Sequence, residues 1–497
     1  MSAADPLRLG LSDEDLQRFA SGINSLVADY LATIGERPVF PPVTADSVAE
    51  RLGRELPRAP EPVDRLLADC EAVLDTNRHN GHPRFFGYVA SPASPVGVYA
   101  DLLASALNAN VTSWRSAPSA TLIERTVVHW LGDLVGFPTA DGLLSSGGSI
   151  ANLTAVHVAA RRALGPDAGR RGLAAGGAGL AMYVSAEAHH SLVKAADVLG
   201  LGTDQVRQVP VDERCRMDVA ALRTVMAADA AAGLRTFLVA ATAGTTGTGA
   251  VDPIAAVADA AEEQGCWLHV DGAYGGPAAA VGELRPLFTG LDRADSMTLD
   301  PHKWLYTPLD CGALLLRDPT AAPRALAESS EAAYIRTTGY QDDEAFAFWD
   351  HGIELSRRFR ALKLWLLMRA HGSTAIAASI AEDCRLARAM AAAVDADPDL
   401  ELMAPVTLSV CCFRVAPQQW RGDDATLDAL NAQIMTAVQR EGTAYLSGAS
   451  VAGRTVLRAC IVNFRTTEPD IEVTLEAVRR AAREVTRAAG SPPRRTP

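Results

Sequence analysis

Apolar positions change their spacing twice along the chain, and the changes divide it. Between Leu16 and Ile34 they recur at helical spacing, and a second helical stretch runs from Val63 to Leu74. Pro38, Pro41 and Pro42 interrupt the pattern, because a ring that fixes φ and lacks an N–H cannot continue a helix. The segment from His79 to Pro95 is irregular. Residues 1–95 hold too little chain for a core of their own, so they are expected to form a helical arm that wraps another part of the protein or a second subunit.

From residue 96 to 372 the pattern becomes short β-type runs separated by helical ones. The runs are Ala181–Ser185, Thr236–Thr242, Cys266–Asp271, Ser296–Leu299 and Gly312–Leu316. Between two of them Asp252-Pro253 opens an Ala-rich helix that closes at Gly265, with proline at its first position and glycine past its end. Such alternation predicts an α/β fold with a large, mostly parallel sheet covered by helices. Ligands of these sheets sit at the carboxyl ends of the strands, which groups Thr242–Thr246, Asp271 and Asp300–Lys303. Residues 373–490 then read as a small α+β C-terminal domain: helices Ser373–Ala393, Thr426–Glu441 and Glu468–Ala489, with strands Leu408–Arg414 and Val456–Val462. Residues 491–497 are expected to be a disordered, Pro- and Arg-rich tail.

Charge narrows the partners. The chain of 497 residues carries 46 Lys+Arg against 59 Asp+Glu, a net charge of −13, which argues against nucleic acid or an anionic membrane and leaves a small molecule as the ligand. The longest uncharged stretch, Gly142–Ala160, is broken by serines, Asn152 and His157 and does not read as a membrane span. Eight cysteines are scattered without CxxC or zinc spacing, so no metal is expected, and residues Met1–Gln17 lack the order of a signal peptide; a cytoplasmic protein with reduced thiols is the expectation. Among the basic residues only Lys194, Lys303 and Lys363 are lysines. A rare lysine is either chance or a place that needs an amine with an adjustable pKa.

Three constellations carry chemistry. Ser145-Ser146-Gly147-Gly148-Ser149 opens a helical run, where free N–H groups and a hydroxyl suit a phosphate; a plain flexible turn would read the same way. Asp271, past an apolar strand, needs a cation or serves as a helix cap. Lys303, between an apolar strand and Trp304, is either a snorkelling lysine or an amine whose pKa burial would depress, favouring the neutral nucleophile of a Schiff base. Lys194 and Lys363 lie in helical runs and are expected to face solvent. A phosphate at a helix start, an aspartate at one strand end and an amine at another are jointly what pyridoxal 5'-phosphate requires.

The segments HVDGAYGG (269–276) and DPHKW (300–304) resemble those of the group II pyridoxal-phosphate-dependent amino-acid decarboxylases, the family of aromatic-L-amino-acid, histidine and glutamate decarboxylases. The resemblance runs from about Phe19 to Glu472. It implies fold type I, the aspartate-aminotransferase-like fold, and an interlocked homodimer with active sites at the subunit interface. It makes Lys303 the Schiff-base lysine, Asp271 the partner of the pyridine nitrogen and His189 the histidine that stacks on the ring. Thr246 and Ala273 are then expected against the ring, and Gly148, Ser149 and His302 around the phosphate. Tyr334, in a loop that the resemblance makes mobile, is the candidate proton donor to Cα, with Tyr340 a nearby rival.

The same resemblance assigns the substrate pocket. Phe86 and Tyr88 lie in the segment matching its N-terminal wall, Thr112 and Leu309 stand where aromatic decarboxylases usually carry phenylalanine, Ser356 where relatives with serine favour phenolic substrates, and Arg465 where they have a supporting arginine. Decarboxylation of an L-amino acid to its amine follows, with an aromatic side chain the first expectation. Decarboxylation coupled to oxidative deamination, giving an aldehyde, and a non-aromatic substrate, aliphatic or acidic, are the alternatives. Tyr334 and His189 are both present, which favours simple decarboxylation.

Overall fold

The computed structural model describes residues 10–165, 167–172, 179–327 and 342–489. They divide into two compact units. The first gathers the chain up to Phe85, Ala429–Leu446 and the chain from Arg465 onward. Helices Asp13–Thr33, Ala45–Leu52 and Val63–Thr76 form its N-terminal part. The arm finds its partner within the same chain: Val39 N–H donates to Gly442 O at 2.8 Å, Phe85 stacks on Tyr445 with ring centroids 5.0 Å apart, and Arg84 pairs with Asp470 at 3.3 Å.

The second unit spans Phe86–Asp428 and Ser447–Phe464. Its main sheet has seven strands: β1 (Asp141–Ser145), β2 (Leu180–Ser185), β3 (Val206–Val209), β4 (Arg235–Thr242), β5 (Trp267–Asp271), β6 (Ser296–Leu299) and β7 (Gly312–Leu316). They lie in the order β1-β7-β6-β5-β4-β2-β3. Only β7 runs against its neighbours, so the sheet is mostly parallel as the alternation predicts. β2 and β5–β7 are buried from end to end, because helices cover the sheet and leave no strand face for water. The helix Gly148–Leu164 packs along β4–β7.

A second, antiparallel sheet belongs to this unit too: β8 (Leu400–Leu402), β9 (Val410–Val415), β10 (Ser447–Val451) and β11 (Arg454–Cys460), ordered β10-β11-β9-β8. The grouping therefore differs from residues 373–490 standing apart. The strands of that stretch go with the large sheet, whereas the helix Glu468–Ala489 and most of Asp424–Glu441 go with the arm. The helix Ala361–Asp395 breaks at Gly372, whose φ of 73° is left-handed and suits a residue without Cβ.

Lys363 corrects an expectation. It is fully buried, with Nζ 3.1 Å from Asp101 Oδ2, and does not face solvent as Lys194 does. A buried ammonium persists because a carboxylate meets it.

Candidate active site

Five strands end on one cavity. β1 leads into Ser146–Ser149, β2 into His189 and Ser191, β4 into Gly244 and Thr246, β5 ends on Asp271, and β6 delivers Asp300, His302 and Lys303. The cavity has a volume of about 330 Å³. Nine residues singled out in the sequence line it: Lys303, His189, Asp271, Gly148, Ser149, Thr246, Ala273, His302 and Leu309.

Asp271 is 4 % exposed and both its oxygens are engaged: Oδ1 accepts from Ala273 N–H at 3.1 Å and Oδ2 from Asn152 Nδ2 at 2.9 Å. The two donors fix the orientation of the carboxylate at the end of its strand. At the start of helix Gly148–Leu164 the first amides have no intrahelical acceptor. A Cβ on Gly148 would meet Asp300 Oδ2 at 2.9 Å and Ala273 Cβ at 3.1 Å, so no larger residue fits there without a shift. His302 Nδ1 lies 2.7 Å from Cys311 O, and burial lowers its pKa.

Lys303 departs from the expectation of a depressed amine. Burial does pull its pKa down, but the Asp300 carboxylate, 2.9 Å from Nζ, and Asp271 outweigh it, and the net direction is up. Asp300 is 1 % exposed and its Oδ1 has no hydrogen-bond partner, while its Oδ2 faces Lys303 Nζ and, at 3.8 Å, His302 Nε2. The chain's own residues thus keep the amine as an ammonium until a ligand alters the balance. His189 has an exposed face, yet desolvation lowers its pKa, with Asp271 opposing.

Residues 46–416 match the pyridoxal-dependent decarboxylase conserved domain. The chain belongs to the pyridoxal-dependent decarboxylases. This decarboxylase is 34% identical over 479 residues to an aromatic-L-amino-acid decarboxylase of Bacillus atrophaeus, covering 96% of this chain and 97% of the relative. It is 31% identical over 480 residues to a phenylacetaldehyde synthase of a Rosa hybrid cultivar, covering 94% and 93%. Its fold matches the crystal structure of Oryza sativa TDC with PLP and tryptamine at a TM-score of 0.88 and 30% identity, over 96% of this chain and 99% of that one. The fold is therefore type I and the cofactor pyridoxal phosphate, which the phosphate cradle, Asp271 and Lys303 fit.

The decarboxylase does not bring every expected residue to the cavity. Phe86 is buried with its carbonyl bonded to Cys460 N–H at 2.9 Å, and Tyr88 is 52% exposed. Thr112 is buried with its carbonyl accepting from Phe348 N–H, and Ser356 is exposed; none of these four lines the cavity. Arg465 belongs to the helical unit, within electrostatic reach of Tyr30. Tyr334 and its rival Tyr340 lie outside the described residues.

Asn152 and Ser191 were not singled out and do line the cavity, and Asp300, grouped with Lys303 at its strand end but given no role, lines it too. Their signals were small. Asn152 stands three residues after Ser149 in an otherwise Ala-, Leu- and Thr-rich helical run, Ser191 follows His189-His190, and Asp300 opens DPHKW.

Proposed function

We propose that this decarboxylase removes CO2 from an aromatic L-amino acid to give the amine, using Lys303, Asp271 and His189 as its central residues. The observation that carries the assignment is the convergence of these three with the Gly148–Ser149 cradle in a single cavity. Pyridoxal phosphate, when bound, supplies an aldehyde for the lysine amine and a ring that accepts the electron pair left by departing CO2. The amides at Gly148 and Ser149 hold the phosphate, with His302 beside them. Asp271 would meet the ring nitrogen and keep its proton, and His189 would face the ring. Lys303 receives its proton balance from Asp300. Tyr334, outside the described residues, is the proposed proton donor to Cα.

A homodimer with the site at its interface is part of the proposal. In support, helix Pro95–Leu107 leaves Tyr99, Leu102, Leu103 and Leu107 between 43% and 60% exposed, an apolar stripe at helical spacing that suits a second copy of this chain. Cytoplasmic residence is proposed on the eight free thiols, six of them buried. Among the described residues no helix is long and apolar enough to cross a membrane.

The similarity to a phenylacetaldehyde synthase supports a second reading, decarboxylation with oxidative deamination to an aldehyde. Parallel assays of CO2, amine and hydrogen peroxide across the proteinogenic amino acids and DOPA test both. Amine equal to CO2 without peroxide supports the first reading, and peroxide with aldehyde supports the second.

A further inference from the structure

Behind the cavity lies a buried polar chain that the roles above leave unused. It starts at Trp267, whose indole N–H can only donate and meets Ser296 Oγ at 2.7 Å. The Ser296 hydroxyl proton is then free for His269 Nδ1, 2.8 Å away. His269 accepts there, so its single proton sits on Nε2 and is donated to Asn152 Oδ1 at 3.0 Å. The same oxygen accepts from Thr298 Oγ1 at 2.7 Å. Burial holds the His269 imidazole down to about 4, in keeping with one ring proton.

With its oxygen doubly engaged, the Asn152 amide has one orientation, and both Nδ2 protons are directed. One goes to Asp271 Oδ2 at 2.9 Å, the other to Ser191 Oγ at 2.9 Å. Ser191 Oγ, having accepted, donates its own proton to His189 Nδ1 at 2.8 Å, and the Ser191 backbone N–H reaches the same nitrogen at 3.2 Å. Two donors on Nδ1 leave the His189 ring proton on Nε2. His269, Ser296 and Thr298 are fully buried and Asn152 is 1 % exposed, so water does not compete for the bonds among these four.

We propose that Asn152 is a positioning residue that couples Asp271 to His189, holding the carboxylate with one amide proton and, through Ser191, fixing with the other which nitrogen of His189 carries its proton. The inference rests on the cofactor reading above. It joins the edge of the cofactor site to its face through one side chain, with Trp267, Ser296 and His269 as the device that keeps that side chain from flipping.

Asn152→Asp tests it, because the substitution keeps the shape and replaces a donor to Asp271 with a second carboxylate oxygen. Asp271, faced also by Lys303, His189 and His269, loses one of its two donors. The expected result is a pyridoxal phosphate dissociation constant raised about tenfold or more, the loss of one charge-assisted hydrogen bond, with a displaced pH titration of the bound cofactor's visible absorbance. Trp267→Phe, which removes only the remote N–H, should displace the same titration in the same direction by less. In the 15N spectrum of histidine-labelled protein without cofactor, His189, assigned with His189→Gln, should be protonated at Nε2 in the parent and mixed in Asn152→Ala. Parent-like dissociation constant, titration and tautomer in the variants, whatever happens to Tm, would overturn the proposal; if Asn152→Asp does not fold, a parent-like titration in Trp267→Phe overturns it equally. Failure of the unaltered protein to bind pyridoxal phosphate would instead remove the cofactor reading and the inference with it.

Discussion

The floor of the cavity is drawn from five strand ends of one sheet, whereas its outer side shows an exposed Leu309 and none of Phe86, Tyr88, Thr112 or Ser356. On the floor each functional group is fixed twice, by its strand and by a buried partner: Asp271 by Asn152 and Ala273, Lys303 by Asp300, His302 by Cys311. Nothing comparable fixes the outer side within the described part of one chain. The contrast teaches that, among the described residues, the groups that fit the cofactor are held by buried partners, whereas the expected substrate-pocket residues other than Leu309 lie away from this cavity.

Substitutions on the floor should therefore cost most. Lys303→Ala should reduce amine formation to background and abolish the visible absorbance of bound cofactor, read in one spectrophotometric and CO2 assay. Asp271→Asn should lower kcat by about 10- to 100-fold, the worth of a charged hydrogen bond, with little change in KM. A larger change in KM than in kcat would place Asp271 on the substrate side of the contrast.

Changes toward the mouth should be smaller and different in kind. Leu309→Phe should alter the ratio of kcat/KM between aromatic amino acids by about tenfold, the scale of side-chain fit in an apolar pocket, while kcat stays near its parent value. Thr112→Phe should leave that ratio unchanged and instead destabilise the protein by about 1–3 kcal/mol through overpacking, measured by urea unfolding, because Thr112 is buried away from the cavity. A specificity change from Thr112→Phe would show that the outer wall is assembled differently.

The smallest effect is on pH. Asp383 accepts from Trp304 Nε1 and Tyr306 hydroxyl, each at 2.8 Å, and burial raises its pKa to about 7. A carboxyl raised above its unfolded value holds its proton more tightly when folded. Its contribution to stability is full below about pH 4 and is lost as pH rises toward 7. The Tm of Asp383→Asn relative to the parent should accordingly climb between pH 5 and 8; a constant difference would mean that these two donors and the Asn463 N–H, 3.4 Å from Asp383 Oδ1, keep Asp383 ionised throughout.

Legibility followed burial and short range. The five apolar runs are β2 and β4–β7, the inner strands with a long edge of contacts, and their bounds agree within a residue. β1 and β3 escaped notice because they are the sheet's two edges, β1 opening on Asp141-Gly142 and β3, Val206-Arg207-Gln208-Val209, carrying two polar residues at its centre. β8 and β10 are likewise the edges of the second sheet. In the cavity, Gly148, Ser149, Asp271 and Lys303 were readable because each sits at a strand end or helix start. Asn152 was not, since its task is set by Asp271, 119 residues away. Lys363 was misjudged for the same reason: its partner Asp101 is 262 residues distant.

Borohydride fixation of pyridoxal phosphate to the protein, followed by peptide mass mapping, tests the central claim most directly, since only three lysines compete. One label per chain on Lys303, with Lys194 and Lys363 unmodified and the label lost in Lys303→Ala, is the predicted result. Stoichiometric label on Lys194 or Lys363, or continued amine production by a protein that takes no label, would contradict it.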